Sequence, residues 1–99
     1  MKNYPNRKAA RAAVILAALS IARDKGYQMV QLNDVAALCG RTTGWVCNIL
    51  PAEELRDAVM SKACEVHDLR VIAQGLATGN ALALALPEDV RRRAGEALV

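Results

Sequence analysis

A short polar segment, residues 41–48, carries the side chains best suited to contacting another molecule. Thr42 and Thr43 supply hydroxyl groups, Asn48 supplies an amide, and Trp45 supplies one N–H donor on a large ring. An amide can bond to two edge atoms of adenine, and hydroxyl groups bond to bases or to phosphates. We therefore predict that these four side chains contact DNA. A solvated surface is the plainer alternative for Thr43 and Asn48, and a core position is the alternative for Trp45.

Basic residues are concentrated towards the amino-terminal end, although the net charge of the chain is only +3. Residues 1–25 contain six basic residues and one acidic residue, a local charge of +5, whereas residues 51–75 have a local charge of −2. A basic segment of this kind can follow a phosphate backbone. Arg41, Lys8 and Arg11 are therefore predicted to hold the DNA backbone, and a solubilising tail is the alternative explanation for the charge.

Catalytic and metal-binding chemistry has little support in the sequence. The three cysteines, Cys39, Cys47 and Cys64, are odd in number and show no CxxC spacing, so they indicate neither a disulfide framework nor a zinc site. His67 is the only histidine, and the acidic residues have no nucleophile or histidine arranged with them for catalysis. We therefore expect no enzyme activity, no cofactor and no metal.

The segments that must position these side chains are predicted to be helices. Hydrophobic residues make up 54% of the 99 residues, much of that share is alanine, and phenylalanine is absent. This composition favours helices packed closely on helices, and the length is that of one domain. The sequence therefore predicts an all-α fold.

Three helices are expected in residues 1–54, which we call the head. The first runs from about Pro5 or Asn6 to Lys25, because asparagine suits the N-cap and a glycine follows the lysine. The second spans about residues 32–38. Its inward-facing side chains are predicted to be Leu32, Val35, Ala36 and Leu38.

A tight turn is predicted between the second and third helices of the head. Gly40 tolerates a left-handed backbone, and Thr42 can cap the helix that follows. In that third helix Val46 is expected to point inward, and Pro51 ends the helix because the residue before a proline leaves the α region. Two helices joined in this way form a helix-turn-helix, whose second helix can lie in the major groove of DNA.

Residues 55–99 are predicted to form a dimerisation region that makes one compact unit with the head. A long fourth helix is expected over about residues 52–76, with apolar residues at spacings of four and three, as on a helix-pairing surface. We call this surface the seam, and Lys62 interrupts it. The seam consists of Leu55, Val59, Val66, Leu69, Ala73 and Leu76.

The carboxy-terminal tail is predicted to be a short helical element. A turn at residues 78–80 precedes a run of alternating alanine and leucine at 81–86, for which a helix or an irregular packed segment is preferred over a strand. Pro87 opens a last helix, in which three arginines at 91–93 are expected to form a solvated face.

The segment from about Arg11 to Leu55 resembles, without a gap, the amino-terminal domain of the TetR (tetracycline repressor) family of bacterial regulators. The apolar pattern of the first helix, the Lys-Gly-Tyr sequence at 25–27 and the Leu-Asn-Asp-Val-Ala sequence at 32–36 are similar to that family. Single positions that also match are Gly40, Thr42, Gly44, Val46, Pro51, Glu54 and Leu55. The resemblance implies a TetR-like three-helix head that binds double-stranded DNA.

Several positions depart from the family pattern. At the positions of Cys47 and Ile49 the family commonly has aromatic or histidine side chains that contact phosphates. Glu53 stands where the family often has a lysine, and Arg41 stands where it has a small apolar residue. The usual phosphate clamp is therefore weakened, and Arg41 with the basic first helix is expected to replace it. Only about 23 residues follow the predicted fourth helix, so we expect neither the family's ligand-binding domain nor a small-molecule inducer.

The expected function is sequence-specific binding of double-stranded DNA by a homodimer, as a repressor at a two-fold symmetric operator. Two alternatives stay open: a protein-binding regulatory module acting on another transcription factor, and a plasmid partition or replication control protein. The chain starts without the apolar stretch of a signal peptide, and its most apolar run, residues 12–22, is too short to span a bilayer. A cytoplasmic location without membrane contact is expected, and so compact a regulator suits a plasmid or phage.

Overall fold

Seven α-helices form most of the part of the chain that this computed structural model describes, residues 4–97. They are α1 (Arg7–Lys25), α2 (Leu32–Cys39), α3 (Thr43–Ile49), α4 (Ala52–Val66), α5 (Leu69–Thr78), α6 (Ala81–Leu84) and α7 (Glu88–Glu96). A 3₁₀ turn at Tyr27–Met29 follows α1, and Lys2 of the basic segment lies outside the described residues. Residues 4–97 contain no strand, which confirms the all-α prediction, and no helix among them is long and apolar enough to cross a membrane.

The helix ends of the head follow the predicted local chemistry. Asn6 caps α1 by accepting a 2.8 Å hydrogen bond from the backbone N–H of Ala9, and Gly26 ends the helix with φ at 98°. Gly40 adopts the left-handed conformation after α2, with φ at 67°. Thr42 caps α3 by accepting a 3.1 Å hydrogen bond from the backbone N–H of the third residue along. Local sequence therefore determines where α1, α2 and α3 begin and end.

One apolar side chain of α2 is oriented differently from the prediction. Val35 and Ala36 are buried and Leu32 is half-buried, but Leu38 is 57% exposed. Leu38 lies two positions beyond Ala36, which places it on the opposite side of the helix. The buried face of α2 is therefore narrower than the sequence predicted.

The core is one continuous cluster in which α1 is the central helix. α1 contacts α2, α3, α4 and α5, and Val14 and Ala18 on its inner side are fully buried. The same cluster contains Val46 of α3, Met60 of α4 and Ile72 of α5. The two predicted segments, residues 1–54 and 55–99, therefore share one core over their described parts.

The prediction of one long helix over residues 52–76 is wrong. The helix breaks at His67, a non-glycine residue in the left-handed conformation with φ at 56°. Asp68 then caps α5 by accepting a 3.2 Å hydrogen bond from the backbone N–H of Val71, and its carboxylate also accepts a 2.5 Å bond from Arg23 of α1. The break turns α5 back against the end of α1, because this buried carboxylate joins the two helices.

The predicted seam is consequently not a free helix-pairing surface. Leu55, Val59 and Ala73 are buried in the core of the same chain, and Leu69 and Leu76 pack against that core. Among the predicted seam residues, Val66 alone is strongly exposed, at 48%. The prediction assumed a straight helix, whereas the bend at His67 lets these residues cover their own chain.

α5 is fastened to the end of α1 by polar contacts as well. The side chain of Gln74 donates a 2.9 Å hydrogen bond to the carbonyl of Ala22, and its amide oxygen accepts a 2.8 Å bond from the N–H of Tyr27. The hydroxyl groups of Tyr27 and Thr78 are 2.6 Å apart. The carboxy-terminal half therefore holds the last turn of α1, and through α1 it supports the head.

The tail follows its prediction closely. Residues 81–84 form the short helix α6, Pro87 precedes α7, and Ala83 and Ala94 are fully buried against the core. Arg92 and Arg93 are exposed, whereas Arg91 is half-buried and donates a 3.0 Å hydrogen bond to the carbonyl of Leu86. Two of the three arginines thus form the solvated face that was expected.

Candidate nucleic-acid interface

The helix α3 has one buried side and one exposed side. Val46 is fully buried, and Leu50 just beyond the helix is 1% exposed, so this edge anchors α3 to the core. The exposed residues of α3 are Thr43, Gly44, Cys47 and Asn48. Their spacing of three and four positions places them on one face, which we call the reading face.

Two threonines hold α3 in place at its amino-terminal end. The hydroxyl of Thr42 accepts the capping hydrogen bond, and Thr43 Oγ1 donates a 2.9 Å bond to Asn33 Oδ1 of α2. Both threonines are exposed and remain accessible to another molecule. Asn33 was not predicted as a site residue, because only the fold brings it beside Thr43.

A cluster of two rings and one guanidinium lies beside α3, and we call it the aromatic cluster. The rings of Tyr4 and Trp45 are stacked, with centroids 6.0 Å apart and planes at 27°. Arg41 Cζ lies 4.7 Å from the centre of the Trp45 ring and 5.7 Å from that of Tyr4. A cation over an aromatic ring is attracted by the ring's quadrupole. Trp45 is half-buried within this cluster, which lies between the exposed position that was predicted and the core position that was its alternative.

Arg7 is a further basic residue at this surface that the sequence did not single out. Its guanidinium donates a hydrogen bond to the backbone carbonyl of Asn48, which ties the start of α1 to the end of α3. Arg7, Arg41 and Trp45 also line a shallow groove of about 400 Å³. The sequence indicated a basic segment. The rotation of α1 about its own axis decides which arginine of that segment lies beside α3.

The other two predicted phosphate contacts, Lys8 and Arg11, lie towards α4. Both are exposed, and both line a surface depression with Lys62 and Glu65. Arg11 also lines a larger open groove of about 650 Å³, which contains the carboxylates of Glu53, Glu54 and Asp57. The structure thus gathers five of the seven predicted residues around α3 and places these two on the α4 side of α1.

The three cysteines differ in environment. Burial raises the pKa of the Cys64 thiol; burial also raises that of Cys39, and the nearby positive charge of Arg41 partly offsets the effect. Cys47 is exposed on the reading face. Groups of three or more potential metal ligands do not occur in residues 4–97. The cysteine environments are thus those of two packed side chains and one surface side chain.

Local geometry around the turn at residues 40–42 matches what the sequence predicted. Two short helices are joined by a left-handed glycine and a threonine N-cap, and Val46 points inward. The likeness to the TetR family still rests on the residues of the sequence alone. Comparison of the chain with models of known protein families, with curated proteins and with solved structures finds no match.

Proposed function

We propose that the protein is a sequence-specific transcriptional regulator with a TetR-like head, in which α2 and α3 act as a helix-turn-helix on double-stranded DNA. The observation that carries the proposal is the reading face, an exposed and uncharged face on a helix whose other side is buried. A helix presented in this way can enter the major groove with its side chains against base edges.

Fixed geometry around α3 supports this role. The Thr42 cap, the Thr43–Asn33 bond and the bond from Arg7 to the Asn48 carbonyl restrain the helix from both of its ends. Side chains that are already positioned lose less conformational freedom on binding. The reading face is therefore organised before it meets DNA.

Charge on the two sides of α1 favours one orientation on the duplex. Arg7 and Arg41 lie beside α3, where cations attract phosphates. The groove on the other side contains Glu53, Glu54 and Asp57, which repel phosphates. The duplex is therefore expected to follow the α3 side, with repression arising from occupation of an operator.

Selection of bound sequences from a pool of random duplexes tests DNA recognition. The expected result is an enriched sequence motif, with affinity for that motif lowered in Asn48→Ala and unchanged in the matched control Gln28→Ala, another exposed amide. A pool without enrichment, together with no salt-dependent binding, would contradict the proposal and favour a protein-binding module.

A homodimer remains part of the proposal, because one helix-turn-helix has a small footprint and two can read half-sites about 34 Å apart. The second copy needs a surface other than the buried seam. In the carboxy-terminal half the strongly exposed large apolar residues of the described chain are Val66, Leu82 and Leu84. Exposed apolar side chains of this kind are candidates for a subunit contact.

The mass of the protein in solution tests the dimer. The wild type is expected to be dimeric at micromolar concentration, and Leu82→Gln combined with Leu84→Gln is expected to shift it towards the monomer. Met29→Gln, which changes a still more exposed apolar residue of the head, serves as the control. A monomeric wild type that binds its selected duplex tightly would show that the dimer is wrong while DNA recognition stands.

A further inference from the structure

The reading face contains no charged side chain, and this limits which bases it can recognise. Residues 42–52 include no lysine, arginine, aspartate or glutamate. Guanine is most often read by arginine or lysine at O6 and N7, and cytosine by a carboxylate at N4. The charged groups that most often recognise a G·C pair are therefore missing from the face that the proposed function places in the major groove, and the hydroxyl of Thr43 does not discriminate between the pairs.

The chemistry that the reading face does offer suits A·T pairs. Asn48 carries an amide, the side chain that bonds to N6 and N7 of adenine. Cys47 is a small, weakly polar side chain that can contact the methyl group of thymine. At Gly44 an added Cβ would have no atom of the protein within 4 Å, so a thymine methyl can approach the backbone there.

The arginines near α3 lie at its edges rather than on the reading face. Arg41 lies against the rings of Tyr4 and Trp45, and Arg7 donates a hydrogen bond to the backbone carbonyl of Asn48. From these places the two guanidinium groups flank the helix, where phosphates would pass with α3 in the major groove. The bond from Arg7 also fixes the main chain at Asn48, which positions its amide.

We infer that each half-site presents A·T pairs to α3, with an adenine opposite Asn48 and a thymine methyl against Cys47 and Gly44. This inference rests on the proposed function, since it specifies which sequence the same face reads. A correct adenine opposite the asparagine is expected to be preferred by about 5- to 150-fold over the other bases.

Selection from random duplexes with the full chain, carried out on three variants, tests the inference. The wild type is expected to enrich A·T pairs, and Asn48→Ala is expected to lose the preference for adenine at one position. Cys47→Arg supplies the missing guanine reader and is expected to enrich a G·C pair next to that position. Cys47→Ser, which adds no charge, is the matched control and keeps the wild-type motif. Circular dichroism checks that all three variants remain helical.

The outcomes separate this inference from the proposed function. An enriched motif with G·C at the position that depends on Asn48 would overturn the inference and leave DNA recognition intact. A motif that Asn48→Ala does not change would overturn it as well, because another element would then read the bases. Absence of any motif in the wild type would remove both the inference and the proposed function.

Discussion

The head and the carboxy-terminal half are held together by different kinds of contact. In α3, Val46 is the single buried residue, and the helix depends on a cap, on the Thr43–Asn33 bond and on Arg7. In α5, four residues of ten are buried: Val71, Ile72, Ala73 and Gly75. The head thus keeps a short helix exposed by means of polar contacts at its edges, while the carboxy-terminal half supplies apolar burial.

This difference indicates a division of roles within one core. Apolar burial contributes most of the free energy of folding, whereas polar contacts at a surface contribute less but fix geometry. Changes in α5 are therefore expected to lower the stability of the whole chain, and changes on the reading face are expected to alter binding without a comparable loss of stability. Four predictions test this comparison, from the largest expected effect to the smallest.

Ile72→Ala is expected to lower the free energy of unfolding by about 2–5 kcal/mol, because it leaves a cavity in a fully buried part of α5. Denaturant unfolding followed by circular dichroism measures the change. The control Leu84→Ala removes a side chain that is 49% exposed and is expected to cost far less. Equal losses of unfolding free energy in the two variants would show that the burial of α5 does not stabilise the core.

The same glycine-to-alanine change is expected to act in opposite directions in the two regions. At Gly75 a Cβ would lie 2.7 Å from Met60 Cε and 2.8 Å from Ala83 Cβ, so overpacking is expected to cost about 1–3 kcal/mol. At Gly44 the space is open, and alanine is expected to add about 0.4–1 kcal/mol by restricting the unfolded chain. Thermal unfolding of both variants checks the two signs, and a gain at Gly75 would refute the close packing.

Lys8→Ala and Arg11→Ala test which side of α1 faces DNA. Each lost phosphate contact is expected to flatten the slope of log affinity against log salt by about 0.9. We expect less than half of this effect for either residue, because both lie on the α4 side of α1, where the acidic groove beside Arg11 repels the duplex. Fluorescence anisotropy over a range of salt concentrations gives the slopes. A full effect for Arg11 would place the duplex on the α4 side.

Alkylation rates of the three thiols test the exposure of the reading face. Cys47 is expected to react first with iodoacetamide, and bound duplex is expected to slow its reaction. Burial raises the pKa of Cys39 and Cys64, so their thiolate fractions are smaller at a given pH and their rates increase as pH rises. Mass spectrometry of the labelled peptides measures each rate. Slower reaction at Cys47 than at Cys64 in the free protein would contradict the exposed placement.

Much of the candidate site could be predicted because its chemistry is local. Thr42, Gly40 and Val46 lie within one turn and one short helix, where backbone preferences and helical spacing determine their roles. Arg7 and Asn33 could not be found in this way, since each meets α3 from a helix distant in sequence. The orientation of α1 against α3 decides that Arg7, and not Arg11, reaches the end of the reading face.

By itself the sequence determined the helical class, the ends of α1, α2 and α3, and the start of α7, because caps, glycines and prolines act on their immediate neighbours. Only the tertiary structure decided the break at His67, where neither glycine nor proline interrupts the apolar pattern. A left-handed residue other than glycine costs about 1–2 kcal/mol, and contacts made far along the chain have to offset that cost. Here Asp68 meets Arg23, and Gln74 meets the end of α1. These contacts turn the predicted pairing surface into the core of a single chain.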